Sequence, residues 1–135
     1  MPSSLRWLLG LIALSIVTAV ASGIVLYTET QARTRTTAEQ ITGGHVKAGR
    51  TAIASYGCGS CHEISGISGA KGQVGPSLSG IATRAEIAGR LPNSPDSMIR
   101  WLMHPQAVVP GNGMPEQGIK AQEARDMAAY LYTLK

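Results

Sequence analysis

The two cysteines of this 135-residue chain lie in one short motif, Cys58-Gly59-Ser60-Cys61-His62. Two thiols three residues apart on a helical turn can reach the two vinyl groups of one porphyrin, and the histidine that follows then lies under the iron. A neutral imidazole is a common proximal ligand of haem iron. The motif therefore predicts one covalently bound haem c, held by Cys58 and Cys61, with His62 as an axial ligand.

Two other chemistries use cysteine pairs of this spacing. A redox dithiol of the thioredoxin kind would lie in a βαβ pattern, and no segment of this sequence is typical of a strand. A structural zinc site would need a second pair of cysteine or histidine ligands, which the sequence does not offer. Both alternatives are weaker than haem attachment.

The composition also favours a large cofactor. The chain has no Phe, so its C-terminal part of about 90 residues would bury only a thin core from side chains alone. The formal net charge is +4, but the basic residues past position 42 are scattered singly. A basic stripe that could bind nucleic acid is therefore not expected.

An apolar run from Trp7 to Tyr27 contains 21 residues without a charge. Roughly 20 such residues span a bilayer as a helix, so residues 1–27 are predicted to be a transmembrane anchor. A cleaved signal peptide is the alternative, because Arg6 precedes the run and Ala19-Val20-Ala21 resembles a cleavage site. The run continues past that site, which favours the uncleaved anchor.

The domain organisation follows from these features. Residues 28–44 are polar and end in Gly43-Gly44, which predicts a flexible polar linker, and residues 45–135 would form the haem domain. Thioether attachment in c-type biogenesis takes place outside the cytoplasm. We therefore expect a single-pass protein of the inner (cytoplasmic) membrane with a cytoplasmic N-terminus and a periplasmic haem domain.

Three helices are predicted in the haem domain, and none of its segments is typical of a strand. The first covers about His45 to Tyr56, where apolar residues recur at helical spacing. The second begins at the cap Ser94 with Pro95 in its first position and ends near Met103. The last covers about Ala121 to Leu134 and has a clear apolar stripe. The expected fold class is all-α.

The second axial ligand is expected from a methionine, because an electron carrier keeps both axial positions filled. Met114 lies between Gly113 and Pro115, in a turn-rich loop stiff enough to hold a thioether. The other methionines, Met98, Met103 and Met127, lie in predicted helices and are typical of core packing. His45 and His104 are the rival ligands.

From residue 46 to 135 the chain resembles the class I cytochromes c of the bacterial, membrane-anchored kind. The residues that carry the resemblance are Gly49, Ile53, Cys58 to His62, Gly75, Pro76, Leu78, the stretch from Arg84 to Trp101, Met114, Pro115, Tyr130 and Leu131. The resemblance implies the class I cytochrome c fold, a small helical domain around one covalent haem.

The same resemblance implies several contacts. The carbonyl of Pro76 should accept a hydrogen bond from the His62 ring. Gly49 should let the first helix cross closely over the last, with Tyr130 packed at the crossing. Trp101 and either Arg84 or Arg90 are expected partners of the haem propionates. The chain departs from the family in placing Lys120 where a Ser or Thr caps the last helix, and this predicts a frayed helix start.

The expected function is transfer of single electrons in a respiratory chain, without enzymatic activity or a small-molecule substrate. The donor would be a quinol-oxidising complex (quinol:cytochrome c reductase) and the acceptor a terminal oxidase. Leu91, Pro92, Asn93, Pro95 and Pro105 to Val108 resemble the cytochrome domain appended to some haem-copper oxidase subunits. The alternative is an electron-accepting subunit of a membrane-bound dehydrogenase or of the oxidase itself. A catalytic or gas-sensing haem with an open iron is a third interpretation.

Overall fold

The computed structural model describes residues 2–135, which are mostly helical, and this confirms the all-α prediction. The chain forms two compact units, one up to Thr34 and one from Arg35 to Lys135. The helices are α1 (Ser3–Thr42), α2 (Val46–Ser55), α3 (Pro95–Met103), α4 (Pro105–Val108) and α5 (Ala121–Leu131). Two short 3₁₀ turns (Cys58–Ser60 and Ile81–Thr83) and two strands, β1 (Glu86–Ile87) and β2 (Leu91–Pro92), complete the described elements.

The N-terminal part of α1 is long and apolar enough to cross a membrane. Its most apolar 18 residues have a mean hydropathy of 2.4, and all of them are exposed. The hydroxyls of Ser15 and Thr30 donate to backbone carbonyls four residues earlier, at 2.9 and 2.8 Å. Such bonds remove the cost of placing a hydroxyl in an apolar medium. This helix fits a single membrane span.

The segment predicted as a flexible linker, residues 28–44, is instead helical as far as Thr42. A helix already formed by the apolar run extends without a new nucleation step. The ion pairs Glu29–Arg33 (3.6 Å) and Arg35–Glu39 (3.2 Å), each four residues apart, support the extension. Gly43, with φ +66°, then ends the helix as a left-handed cap.

The end of α1 belongs to the unit that contains the rest of the chain. Ala38 and Thr42 are buried in that unit. The Glu39 carboxylate accepts a hydrogen bond from the backbone N–H of Val46 (3.0 Å), the first residue of α2. This contact satisfies one of the free N–H groups at the helix start, which a linker without structure could not do.

Helices α2 and α5 cross in direct backbone contact. A Cβ at Gly49 would overlap the carbonyl group of Asp126, so only glycine permits this approach. The Asp126 carboxylate also accepts a hydrogen bond from the backbone N–H of His45 (2.8 Å) and thereby joins α5 to the start of α2. The predicted crossing at Gly49 is confirmed, and α5 ends at Leu131 rather than at the predicted Leu134.

The start of α5 is stabilised in a way that the sequence pattern did not predict. Lys120 is the cap residue, and its ammonium group cannot accept a hydrogen bond. The Glu123 carboxylate instead accepts from the Lys120 N–H (3.1 Å) and from the Tyr56 hydroxyl (2.7 Å). The latter bond is the main cause of a lowered pKa at Glu123 and a raised pKa at Tyr56. These bonds compensate for the missing Ser or Thr.

The connection before α3 contains the strands that the sequence did not predict. β1 and β2 pair in antiparallel register, with Ile87 opposite Leu91, around a turn in which Ala88 has φ +53° and Gly89 φ +62°. Two residues are too few to show strand alternation in a sequence. The predicted start of α3 is confirmed, because the Ser94 hydroxyl accepts from the N–H of Ser97 (3.2 Å).

Asn93 ties this connection to the C-terminus. Its amide donates to the carbonyls of Ile81 and Arg84, both at 2.8 Å, and its oxygen accepts from the Tyr132 hydroxyl at 2.9 Å. Partial burial raises the pKa of Tyr132 to about 12. The end of the chain is thus fastened to the turn that precedes β1.

We predict that Gly49→Ala destabilises the haem-loaded protein by about 1–3 kcal/mol, because α2 and α5 must separate to accommodate the methyl group. Equilibrium unfolding in urea, followed by far-UV circular dichroism, measures the change. Thr51→Ala is the matched control, since it raises helix propensity at an exposed position of the same helix. Equal or higher stability of Gly49→Ala would show that the helices do not cross as described.

We also predict that Tyr132 causes part of the fall in the domain's unfolding free energy at alkaline pH. Its raised pKa means that the neutral phenol stabilises the fold, fully so below the unfolded pKa of about 10. This contribution is lost as the pH rises through about 12. Unfolding free energies measured from pH 9 to 12 should therefore fall less steeply for Tyr132→Phe than for the wild type. Parallel curves would contradict the prediction.

Candidate functional site

An apolar cavity of about 390 Å³ lies inside the unit that contains α2 to α5. Protein interiors are close-packed, so a cavity of this size and lining suits a large planar apolar group. Its wall includes buried or half-buried apolar side chains from four separate parts of the chain: Ile53, Leu78, Ile81, Ile87, Met98, Leu102 and Leu131. The cavity therefore fits the haem that the motif predicts.

The cysteine motif forms one wall of the cavity. Helix α2 ends before Gly57, whose φ of +70° turns the chain into the 3₁₀ turn Cys58–Ser60. The N–H of His62 donates to the carbonyl of Cys58 at 2.9 Å, which closes the turn. Cys58, Cys61 and His62 all line the cavity as a result. Before any haem is attached, the pKa of the free Cys58 thiol is raised, mainly because the side chain is partly buried.

The imidazole of His62 is fixed by a backbone contact. Its Nδ1 lies 2.7 Å from the carbonyl oxygen of Pro76, which confirms the predicted hydrogen bond. A carbonyl can only accept, so Nδ1 carries the proton and Nε2 keeps its lone pair for a metal. A Cβ at Gly75 would overlap the His62 ring, so the loop can pass this close only with glycine there. In this arrangement Nε2 is the ring nitrogen that would be free to coordinate a metal.

Met114 also lines the cavity, on a loop that follows α4. Its N–H donates to the Asn112 side-chain oxygen at 2.7 Å, and its carbonyl accepts from the Gln106 amide at 2.7 Å. The sequence pattern predicts no functional role for Gln106 or Asn112. The only signal for Gln106 was its place in the stretch that resembles oxidase-linked cytochromes.

The two rival histidines lie away from this cavity in the described chain. His45 precedes α2 and its N–H is held by Asp126, and neither it nor His104 is part of the lining. The His104 ring lies 4.0 Å from the Glu116 carboxylate. Met127 is fully buried against α2 and the other core helices, outside the lining. Met98 does line the cavity, as a buried core residue of α3.

The predicted propionate partners are placed differently from one another. Trp101 and Arg84 line the cavity. The Arg84 guanidinium donates to the carbonyls of Ser77 and Ser79, the latter at 3.1 Å, so it also holds the loop that carries Pro76. Arg90 is exposed at the turn before β2 and is not part of the lining, so the structure does not bring it to the site.

Comparison with known proteins identifies the family. Residues 46–135 match the family model for cytochrome c. The chain is 35% identical over 92 residues to cytochrome c2 of Rhodopila globiformis, covering 58% of this chain and 83% of that protein. It is 32% identical over 88 residues to cytochrome c oxidase subunit 2 of Alkalihalophilus pseudofirmus, covering 64% of this chain.

The chain spans only 25% of that oxidase subunit's length. No solved structure matches the chain significantly. The matched region begins at the first residue of α2 and contains the whole cavity lining. The chain therefore belongs to the class I c-type cytochromes, electron carriers that hold haem c covalently.

Proposed function

We propose that this protein is a membrane-anchored mono-haem cytochrome c in which Cys58 and Cys61 bind the haem and His62 and Met114 ligate its iron. The observation that carries the proposal is that all four side chains line one apolar cavity. The haem supplies a one-electron change between ferrous and ferric iron. If His62 and Met114 both ligate, the iron would have no position left for a substrate, so the protein is proposed as a carrier and not an enzyme.

The protein's own residues support such a role in three ways. The Pro76 carbonyl orients His62, and a hydrogen bond of this kind tunes a ligating imidazole. The apolar lining excludes water from the redox centre. Ligation by a methionine together with a histidine would raise the reduction potential compared with other ligand sets. Trp101 and Arg84, which line the cavity, are the proposed partners of the haem propionates.

The proposed route for electrons is the part of the cavity wall that reaches the surface. Val74 lines the cavity and is 84% exposed, and Cys61 beside it in the lining is exposed as well. Lys71 lies nearby in sequence and is exposed, as is Lys120. Transient redox partners bind through small, weak surfaces. The positive charges of Lys71 and Lys120 would suit an acidic rim on the partner's surface.

We propose further that α1 anchors the protein in the inner membrane, with the N-terminus in the cytoplasm and the haem domain in the periplasm. The exposed apolar length of α1 supports the anchor. The requirement that haem c be attached outside the cytoplasm supports the orientation. A signal peptide of equal hydropathy is the competing interpretation, and the amino terminus of the mature protein distinguishes the two.

The proposed redox partners are a quinol-oxidising complex as donor and a terminal oxidase as acceptor. The similarity to a protein named cytochrome c oxidase subunit 2 supports the oxidase. It also favours the second candidate, in which the chain is a permanent electron-accepting subunit of an oxidase or a membrane-bound dehydrogenase.

Affinity purification of a C-terminally tagged form from native membranes in mild detergent tests this proposal. Recovery of oxidase or quinol-oxidising subunits, together with an intact Met1, is the expected result. Stoichiometric recovery of a single dehydrogenase or oxidase would support the permanent subunit instead. A soluble chain that begins near Ser22 would rule out the anchor.

We predict that Met114→Ala leaves one coordination position of the haem iron free. The reduced variant should bind carbon monoxide avidly and have a lower reduction potential, because the thioether no longer stabilises the ferrous state. Absorption spectra under carbon monoxide and redox titration measure both effects. Met127→Leu is the matched control, since this methionine is fully buried outside the cavity lining and the change conserves volume. Avid carbon monoxide binding by the wild-type protein would indicate a catalytic or gas-sensing haem and contradict the ligation by Met114.

A further inference from the structure

The loop that carries Met114 is held mainly by side chains. Gly111 and Gly113 flank its centre, and a Cβ added at either would contact nothing within 4 Å. The backbone N–H of Asn112 donates to the carbonyl of Val109 at 3.2 Å. Beyond that turn, the backbone N–H and the backbone carbonyl of Met114 are both bonded by side chains rather than by other backbone groups. The position of this loop therefore depends on the residues that supply those bonds.

Gln106 supplies three side-chain hydrogen bonds to this loop. Its Nε2 donates to the carbonyls of Asn112 (2.9 Å) and Met114 (2.7 Å), and its Oε1 accepts from the N–H of Gly111 (3.0 Å). One side chain thus holds three residues of the loop, and both the nitrogen and the oxygen of the Gln106 side-chain amide bond to it. A glutamine with only a surface role would bond to water instead.

Asn112 completes the arrangement from within the loop. Its Nδ2 donates to the carbonyls of Pro105 (2.9 Å) and Val109 (2.6 Å), and its Oδ1 accepts from Met114. Pro105 is among the most completely buried side chains of the described residues and so provides a fixed base at the start of α4. The bonds from Gln106 and Asn112 therefore run from the core to Met114.

We infer that Gln106, acting with Asn112, is a positioning residue that holds the Met114 thioether in place for iron ligation. The inference rests on the proposed role of Met114 as a ligand. Methionine has three rotatable bonds and a weakly coordinating sulfur, so its bond to iron depends on a loop already in the ligating position. The hydrogen bonds described for the Gln106 side chain all go to backbone groups of the loop. Gln106 acts only through the backbone of the loop.

The variant Gln106→Leu tests this inference in the full-length, haem-loaded protein in detergent. Leucine has a similar size but cannot bond to the carbonyls of Asn112 and Met114. Two readouts are needed: the rate of carbon monoxide binding to the reduced protein, and the weak far-red absorption band of the ferric protein that reports sulfur ligation. We expect about tenfold faster carbon monoxide binding, since each lost hydrogen bond shifts the equilibrium between closed and open loop by a factor of several. We also expect a weaker band.

Gln122→Leu is the matched control. Gln122 lies in α5 and its amide also donates two hydrogen bonds, to the Gly43 carbonyl and to Asp126. The two variants therefore lose similar numbers of bonds, so urea unfolding should report comparable losses of stability. Only Gln106→Leu should change the carbon monoxide rate and the far-red band. If both variants leave these readouts at the wild-type value, Gln106 has only a structural role and the inference is wrong.

Two further variants keep the test decisive. Gln106→Asn keeps a polar amide but is one methylene too short to reach the loop, so it should shift both readouts in the same direction if Gln106→Leu does not assemble. A wild-type result for this variant would overturn the inference. Met114→Ala identifies a different failure: if it leaves the far-red band unchanged, Met114 is not the ligand and the proposed function fails as well. If the far-red band changes in Met114→Ala but not in either Gln106 variant, the inference about Gln106 is wrong while the proposed function stands.

Discussion

The apolar cavity is the constraint on which the rest of the haem domain depends. A domain of this size without Phe has few large side chains with which to fill a core, and the described core consists mainly of Ile, Leu, Met and Ala. The haem would be its largest apolar body, so the elements pack around the cavity rather than around each other. Where two elements do meet directly, as at Gly49 and Asp126, they are in backbone contact because little side-chain volume remains between them.

The two proposed axial ligands are held by different means, and the difference follows from their chemistry. An imidazole has one rigid ring, so a single hydrogen bond to the Pro76 carbonyl sets both its tautomer and its orientation. A thioether has no hydrogen to donate, so its own sulfur cannot be fixed in this way. The protein fixes the backbone of Met114 instead, through the amides of Gln106 and Asn112. Each proposed ligand is thus held in place by contacts of the polypeptide itself.

The loops around the site are connected to the C-terminus as well as to the proposed ligands. Arg84 holds the carbonyls of Ser77 and Ser79 beside Pro76, and the carbonyl of Arg84 itself accepts from Asn93. Asn93 in turn accepts from Tyr132 near the C-terminus. A chain of side-chain hydrogen bonds therefore links the His62 side of the cavity to the end of α5. Such support would limit changes of shape between the two oxidation states, as the proposed electron carrier requires.

The sequence by itself determined the features that depend on local spacing and composition. These are the haem-attachment motif, the apolar span of α1, the cap Ser94 before Pro95, and the position of Met114 between Gly113 and Pro115, on which its proposed role as a ligand rests. The tertiary structure alone decided which polar groups meet. It brought Glu39 to the start of α2, used Glu123 to compensate for Lys120, directed Arg84 at two carbonyls, left Arg90 in solvent, and placed Gln106 on the Met114 loop. The physical reason is that an amide, carboxylate or guanidinium can bond to any nearby backbone group. Its residue type fixes what it can donate or accept, whereas its partner is set only when the folded chain brings the two together.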